Sequence, residues 1–145
     1  MRITDRFSSE HEVFLRQLEV IDTLTRTGAD VDAVVAAIRT LAAPLLAHAE
    51  NEERALFPAL EPTLGSAGGP LAALTEEHHT IHGQLDRLTD DPPRWELEQV
   101  LDAFLRVLRG HIKMEEGVLF PAAARALGDD HLARLDRDIH VGAPA

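Results

Sequence analysis

The chain has no cysteine and no tyrosine. Without cysteine there is no disulfide framework, no zinc ribbon and no thiolate-ligated iron, so any metal chemistry falls to histidine and carboxylate. Without tyrosine there is neither a tyrosyl radical nor a tyrosinate ligand. Positive charge is scarce: 14 basic residues against 25 acidic ones leave a formal net charge of −11, which offers no counter-charge to nucleic acid or to an anionic membrane. The start, Met1 to Arg6, lacks the apolar core of a secretory signal, and no stretch approaches the roughly 20 apolar residues needed to span a bilayer. These absences lead to the expectation of a cytoplasmic protein whose partners include neither nucleic acid nor membrane. No segment sustains a period of two, which removes strands from the reading.

What is present is helical spacing throughout a length of 145 residues, the size of one domain. The pattern predicts a first helix after a cap at Ser8 or Ser9, with Val13, Phe14, Leu18, Ile21 and Leu24 inward, ending by Gly28. A second follows Asp30 and runs through Val34, Ile38, Leu41, Leu45, Leu46 and Leu56 to Leu60, with a kink expected at Pro44. The third is expected over 70–89 and the fourth over 94–127, followed by a short helix over 129–138 and a frayed tail from Val141 to Ala145. Trp95 reads as a packing residue. The fold class implied is all-α: an antiparallel up-down-up-down four-helix bundle over about 8–127 with a short C-terminal helix, in a single domain 1–145.

Seven polar residues interrupt the apolar faces: His11, His48, Glu52, His78, His82, His111 and Glu115. Residues equidistant from the turn of an antiparallel hairpin lie side by side. His11 and His48 centre beside Gly28-Ala29-Asp30. The pairs 48/52 and 78/82 centre on Gly65, and 78/82 and 111/115 centre just past Asp91-Pro92-Pro93. All seven are therefore expected at one level, where pairs four residues apart share a helix face. A buried layer of ionisable groups is costly unless it holds metal. The chain also repeats itself: Glu10-His11 matches Glu77-His78, and the block from His48 to Ala59 matches that from His111 to Ala122, as two related hairpins would. His79, His131 and His140 fall outside the layer and read as surface or structural residues. A ferritin-like site needs Glu-x-x-His on two helices, and this chain offers it once, at Glu76 and His79.

The order His, His-x-x-x-Glu, His-x-x-x-His, His-x-x-x-Glu resembles the hemerythrin-like family, also called the HHE cation-binding domain, from Glu10 to Ala122. The resemblance implies a non-haem di-iron centre in which His78, His82 and His111 bind one iron and His11 and His48 the other, with Glu52 and Glu115 bridging. Glu115 stands where hemerythrins usually carry aspartate. With a solvent-derived oxo or hydroxo bridge, three histidines complete six-coordination at one iron and two leave an open position at the other. Dioxygen, nitric oxide or peroxide is then the expected small ligand, within walls of Phe14, Leu15, Leu45, Ile81 and Leu108. The functions implied are oxygen or redox sensing, storage or iron handling. The alternative is a redox enzyme turning over peroxide or using oxygen as oxidant.

Overall fold

A computed structural model describes residues 1–65 and 67–141. The helices are α1 (Ile3–Arg26), α2 (Val31–Asn51), α3 (Phe57–Leu64), α4 (Pro70–Thr89), α5 (Arg94–Met114) and α6 (Phe120–Val141). Two π turns, Glu52–Leu56 and Glu115–Leu119, join α2 to α3 and α5 to α6. α1 packs on α2, α2 on α4, α4 on α5 and α5 back on α1, closing an antiparallel four-helix ring. α6 continues α5 as far as Gly128, whose φ of 79° breaks the helix and turns the remainder across α1. The expected tail falls mostly beyond the described residues: Val141 closes α6, and residues 142–145 lie outside.

The first helix begins at Ile3, not after Ser8 or Ser9. Ile3 and Phe7 are fully buried in a cluster with Leu132 and Ile139 of α6, so helix start is decided by a contact from the far end of the chain. Ser8 caps nothing; its hydroxyl donates to Glu116 at 2.8 Å. Arg6 makes a two-pronged hydrogen-bonded pair with Asp136, with Nη2 at 3.1 Å from Oδ2, and this guanidinium holds the Asp136 carboxyl below its ordinary 3.8. A carboxyl whose folded value is depressed adds stability above its ordinary value and loses it as pH falls. Asp136→Asn should therefore lower stability by about 1 kcal/mol at neutral pH, and thermal denaturation should show that difference shrinking below pH 3.8.

Pro44 sits inside α2 without ending it; the irregularity lies further on, in the π turns. Phe57 N–H reaches back five residues to the Glu52 carbonyl and Phe120 N–H to that of Glu115. Pro58 and Pro121 follow at once, and their missing N–H removes the next regular helical bond. A turn closed at five residues holds more than the usual 3.6, so steps of four stay on one face. Glu52, Leu56 and Leu60 accordingly all point inward, as do Glu115, Leu119 and Ala123.

The helical run from Val31 to Leu64 is long and apolar enough, by length and hydropathy alone, to cross a membrane, contrary to the sequence expectation. Its hydropathy comes partly from exposed alanines, Ala36, Ala43 and Ala47, while Ile38, Leu41 and Leu45 face the bundle core. Trp95, expected to pack, is 66% exposed, and Val13 is also exposed. Two apolar clusters fill the bundle, one toward the hairpin turns around Leu18, Ile38, Leu88 and Phe104, the other around Phe7, Leu56, Leu74 and Leu119. A polar layer separates them.

Candidate metal centre

Six of the seven expected residues meet in that layer. His11 comes from α1, His48 from the last turn of α2, His78 from α4 and His111 from the last turn of α5, while Glu52 and Glu115 open the two π turns. None is more than 7% exposed, and both glutamates are at 0%. His82 is not among them: its side chain is 59% exposed and lies 3.5 Å from Asp86. The buried seam of α4 runs Leu71, Leu74, His78, Ile81, Leu85, Leu88, steps of three and four that follow the helix period. The step from His78 inward is therefore Ile81, and His82 falls one position round the helix, toward solvent.

The six donors form two groups, His11, His48, Glu52, Glu115 and Glu52, His78, His111, Glu115, each with ligand atoms within 4.8 Å of one another. Both carboxylates belong to both groups. His11 Nε2 lies 3.2 Å from His48 Nε2, and His78 Nε2 lies 3.2 Å from His111 Nε2. His11 Nε2 is 3.1 Å from Glu115 Oε1 and His48 Nε2 is 2.5 Å from Glu52 Oε1, yet no oxygen of either glutamate has a well-formed hydrogen bond.

The outer ring nitrogens explain why. His48 Nδ1 donates to Glu10 at 2.7 Å, His111 Nδ1 to Glu77 at 3.1 Å and His11 Nδ1 to Glu116 at 3.2 Å. His78 Nδ1 stands 3.4 Å from Glu53 without hydrogen-bond alignment. A proton held on Nδ1 by a carboxylate leaves the Nε2 lone pair facing inward, the tautomer that binds metal. Three imidazoles so oriented, with His78 and four carboxylate oxygens, converge on one buried space, a donor set that fits a pair of cations.

Burial pushes the Glu52 carboxyl up to about 8 and the Glu115 carboxyl well above the usual range, with the Glu52 charge adding to the latter. Burial likewise pulls His78 down to about 4 and His111 to about 3, with neighbouring imidazoles adding. Phe57 stacks on the His78 ring at 5.8 Å and Phe120 on that of His11 at 5.5 Å, fixing both planes. Beside the histidines lies a cavity of about 20 Å³ walled by Phe14, Leu45, Leu46, Ile81, Leu108 and Ile112, room for a ligand of one or two heavy atoms. Of the walls expected from sequence, Leu15 is the exception; it is 37% exposed.

A family model described as the hemerythrin HHE cation binding domain matches residues 2–137. The chain belongs to this family. The iron-sulfur cluster repair protein YtfE of Musicola paradisiaca is 31% identical to this HHE domain over 140 residues, covering 85% of the chain and 63% of the relative. YtfE of Dickeya chrysanthemi is 38% identical over 93 residues, 56% of the chain and 42% of the relative. YtfE of Yersinia pestis is 36% identical over the same length, with the same shares. The HHE domain thus spans 42% to 63% of the length of these relatives. No solved structure matches it.

Sequence reasoning did not assign the four outer carboxylates of the HHE domain, although the repeat contained them. Glu10 and Glu77 precede the first histidine of each half, and Glu53 and Glu116 follow each inner glutamate. Their side chains are 35% to 40% exposed, so by composition they look like any solvated helix charge. Removing such a partner typically costs 10–100-fold in metal affinity. Glu10→Ala and Glu77→Ala should each weaken metal binding by about that factor, measured by competition with a chelator.

Proposed function

We propose that the HHE domain holds two iron ions, one on His11 and His48 and the other on His78 and His111, bridged by Glu52 and Glu115. In this reading it binds a small ligand such as nitric oxide, dioxygen or peroxide for iron handling or redox sensing. The observation that carries the reading is the sharing of Glu52 and Glu115 between two equivalent groups, the arrangement bridging requires. The donor set, imidazole and carboxylate without thiolate, suits iron in either common oxidation state. The relatives named for iron-sulfur cluster repair support a role in iron handling.

When bound, two ferrous ions would supply the electrons and the open coordination positions. The chain contributes the rest. Glu52 and Glu115 give each position two carboxylate oxygens, and each histidine pair adds two nitrogens, so both positions are left short of six ligands. This replaces the three-plus-two division of histidines expected from the resemblance, which needed His82. Glu10, Glu77 and Glu116 hold the imidazoles in their binding tautomer. Phe14, Leu45, Ile81 and Leu108 keep the ligand side dry, which strengthens charge interactions there. Those walls carry no proton donor, which favours ligand binding over peroxide turnover, a reaction that needs protons delivered.

Iron analysis of the purified protein, followed by anaerobic titration with nitric oxide, tests this. Two irons per chain and an iron–nitrosyl absorption are the expected results. Iron below one per chain would sink the dinuclear reading, and an iron-replete protein indifferent to nitric oxide would sink the ligand.

A further inference from the structure

The cavity beside the histidines and a surface groove between α2 and α4 share three lining residues. The groove, about 460 Å³, is rimmed by Glu50, Glu53, Arg54, His79 and His82 and floored by Leu46, Ala49 and His78. The last three also line the inner cavity. One side-chain layer therefore divides the cavity from solvent here, and two of its members, Leu46 and Ala49, are uncharged, half-buried and one turn apart on α2.

Among the described residues, the corresponding place in the other half is filled. The internal repeat relates α2 to α5 by 111 − 48 = 63 residues, which pairs Leu46 with Arg109 and Ala49 with Ile112. Ile112 is 3% exposed and fills the cavity wall on its side. Arg109 is partly exposed, with its guanidinium 3.9 Å from Asp22 of α1. Where one half has a methyl group and a half-buried leucine, the other has a buried isoleucine and a charged side chain.

We infer that small uncharged ligands reach the centre through a single constriction between Leu46 and Ala49 at the floor of the α2/α4 groove, and that Ala49 sets the size admitted. The inference rests on the proposed ligand-binding function. A rim on which Glu50 and Glu53 outnumber Arg54, over an apolar neck formed by Leu46 and Ala49, passes a neutral diatomic and disfavours an anion, which must shed its water in the neck. His82 and His79, exposed and outside the metal layer, take their place as rim residues of the approach.

The test uses stopped-flow mixing of nitric oxide with the iron-loaded full chain, with iron content measured on each sample. Ala49→Ile, which copies the closed half, and Ala49→Phe should slow nitric oxide association by tenfold or more, with iron content unchanged. Leu46→Ala should speed it, and keeps the test open if the bulkier variants fold poorly. Unchanged rates in iron-replete variants overturn the inference while wild-type nitric oxide binding stands. A wild type that holds iron yet binds no nitric oxide overturns the functional reading, and the entrance with it.

Discussion

Glu52→Ala should strip metal from both groups at once. Glu52 and Glu115 are the donors the two groups share, so deleting either removes a ligand from each position and the bridge between them. The lost carboxylate also leaves like-sided lone pairs of His48 and His11 facing a buried space with no cation. On the proposed two-iron reading, metal content should fall to near zero in Glu52→Ala and in Glu115→Ala. His11→Ala or His111→Ala should abolish one position first, with the second weakened. His82→Ala should keep full content, because that side chain lies in solvent. Metal analysis after extensive dialysis separates these cases; a His82→Ala protein that lost iron would overturn the six-residue site.

Metal affinity should rise steeply with pH up to about 8. In the metal-free protein burial keeps the proton on Glu52 up to about 8 and raises Glu115 well above the usual carboxyl range, so a cation entering at pH 7 competes with protons for these oxygens. Each displaced proton changes apparent affinity by about tenfold per pH unit, and two by about 100-fold. His78 and His111 add no such competition near neutrality, since they hold protons only below about 4 and 3. Chelator competition from pH 6 to 8, and proton release followed in weak buffer, measure this directly.

The metal-free protein should show the opposite slope. A carboxyl raised above its ordinary 4.5 stabilises the fold below that value and loses its contribution as pH rises toward about 8. The depressed imidazoles work from the acid side, stabilising above their ordinary 6.5 and losing it as pH falls toward 4. The stability of the metal-free protein against denaturation should therefore fall between pH 6.5 and 8, the range in which metal affinity rises. A flat or rising metal-free curve there would contradict the burial of these glutamates.

The bundle was legible in the sequence because its cause is local. Apolar spacing along α2, α4 and α5 and breakers at Gly28 and 90–93 suffice to place those helices. The start of α1 was not legible, since Ile3 and Phe7 become core only when α6 crosses them. At the site, the structure brings together six of the seven residues expected from sequence and leaves His82 in solvent. On a helix, positions three and four beyond His78 are equally near in sequence, and only packing chooses Ile81. The repeat held the correction: α1 maps to α4 by 78 − 11 = 67 residues, so the mate of His82 is Leu15, also exposed. Residues of the layer have polar mates, His11 with His78 and Glu52 with Glu115; His82 has none. Glu10, Glu53, Glu77 and Glu116 were visible as repeated letters, but their role depends on which ring nitrogen they meet, a three-dimensional fact.

The polar layer between the two apolar clusters also bears on how the molecule comes apart. A single continuous core unfolds cooperatively because each contact depends on its neighbours. Here Leu18, Ile38 and Phe104 on one side are separated from Phe7, Leu74 and Leu119 on the other by groups that, without a cation, repel or desolvate one another. Metal that joins α1, α2, α4 and α5 at that level couples the two clusters into one melting unit. Its removal leaves two half-bundles with separate thresholds, so calorimetry should resolve one sharp transition in the loaded protein and a broad or double one after chelation.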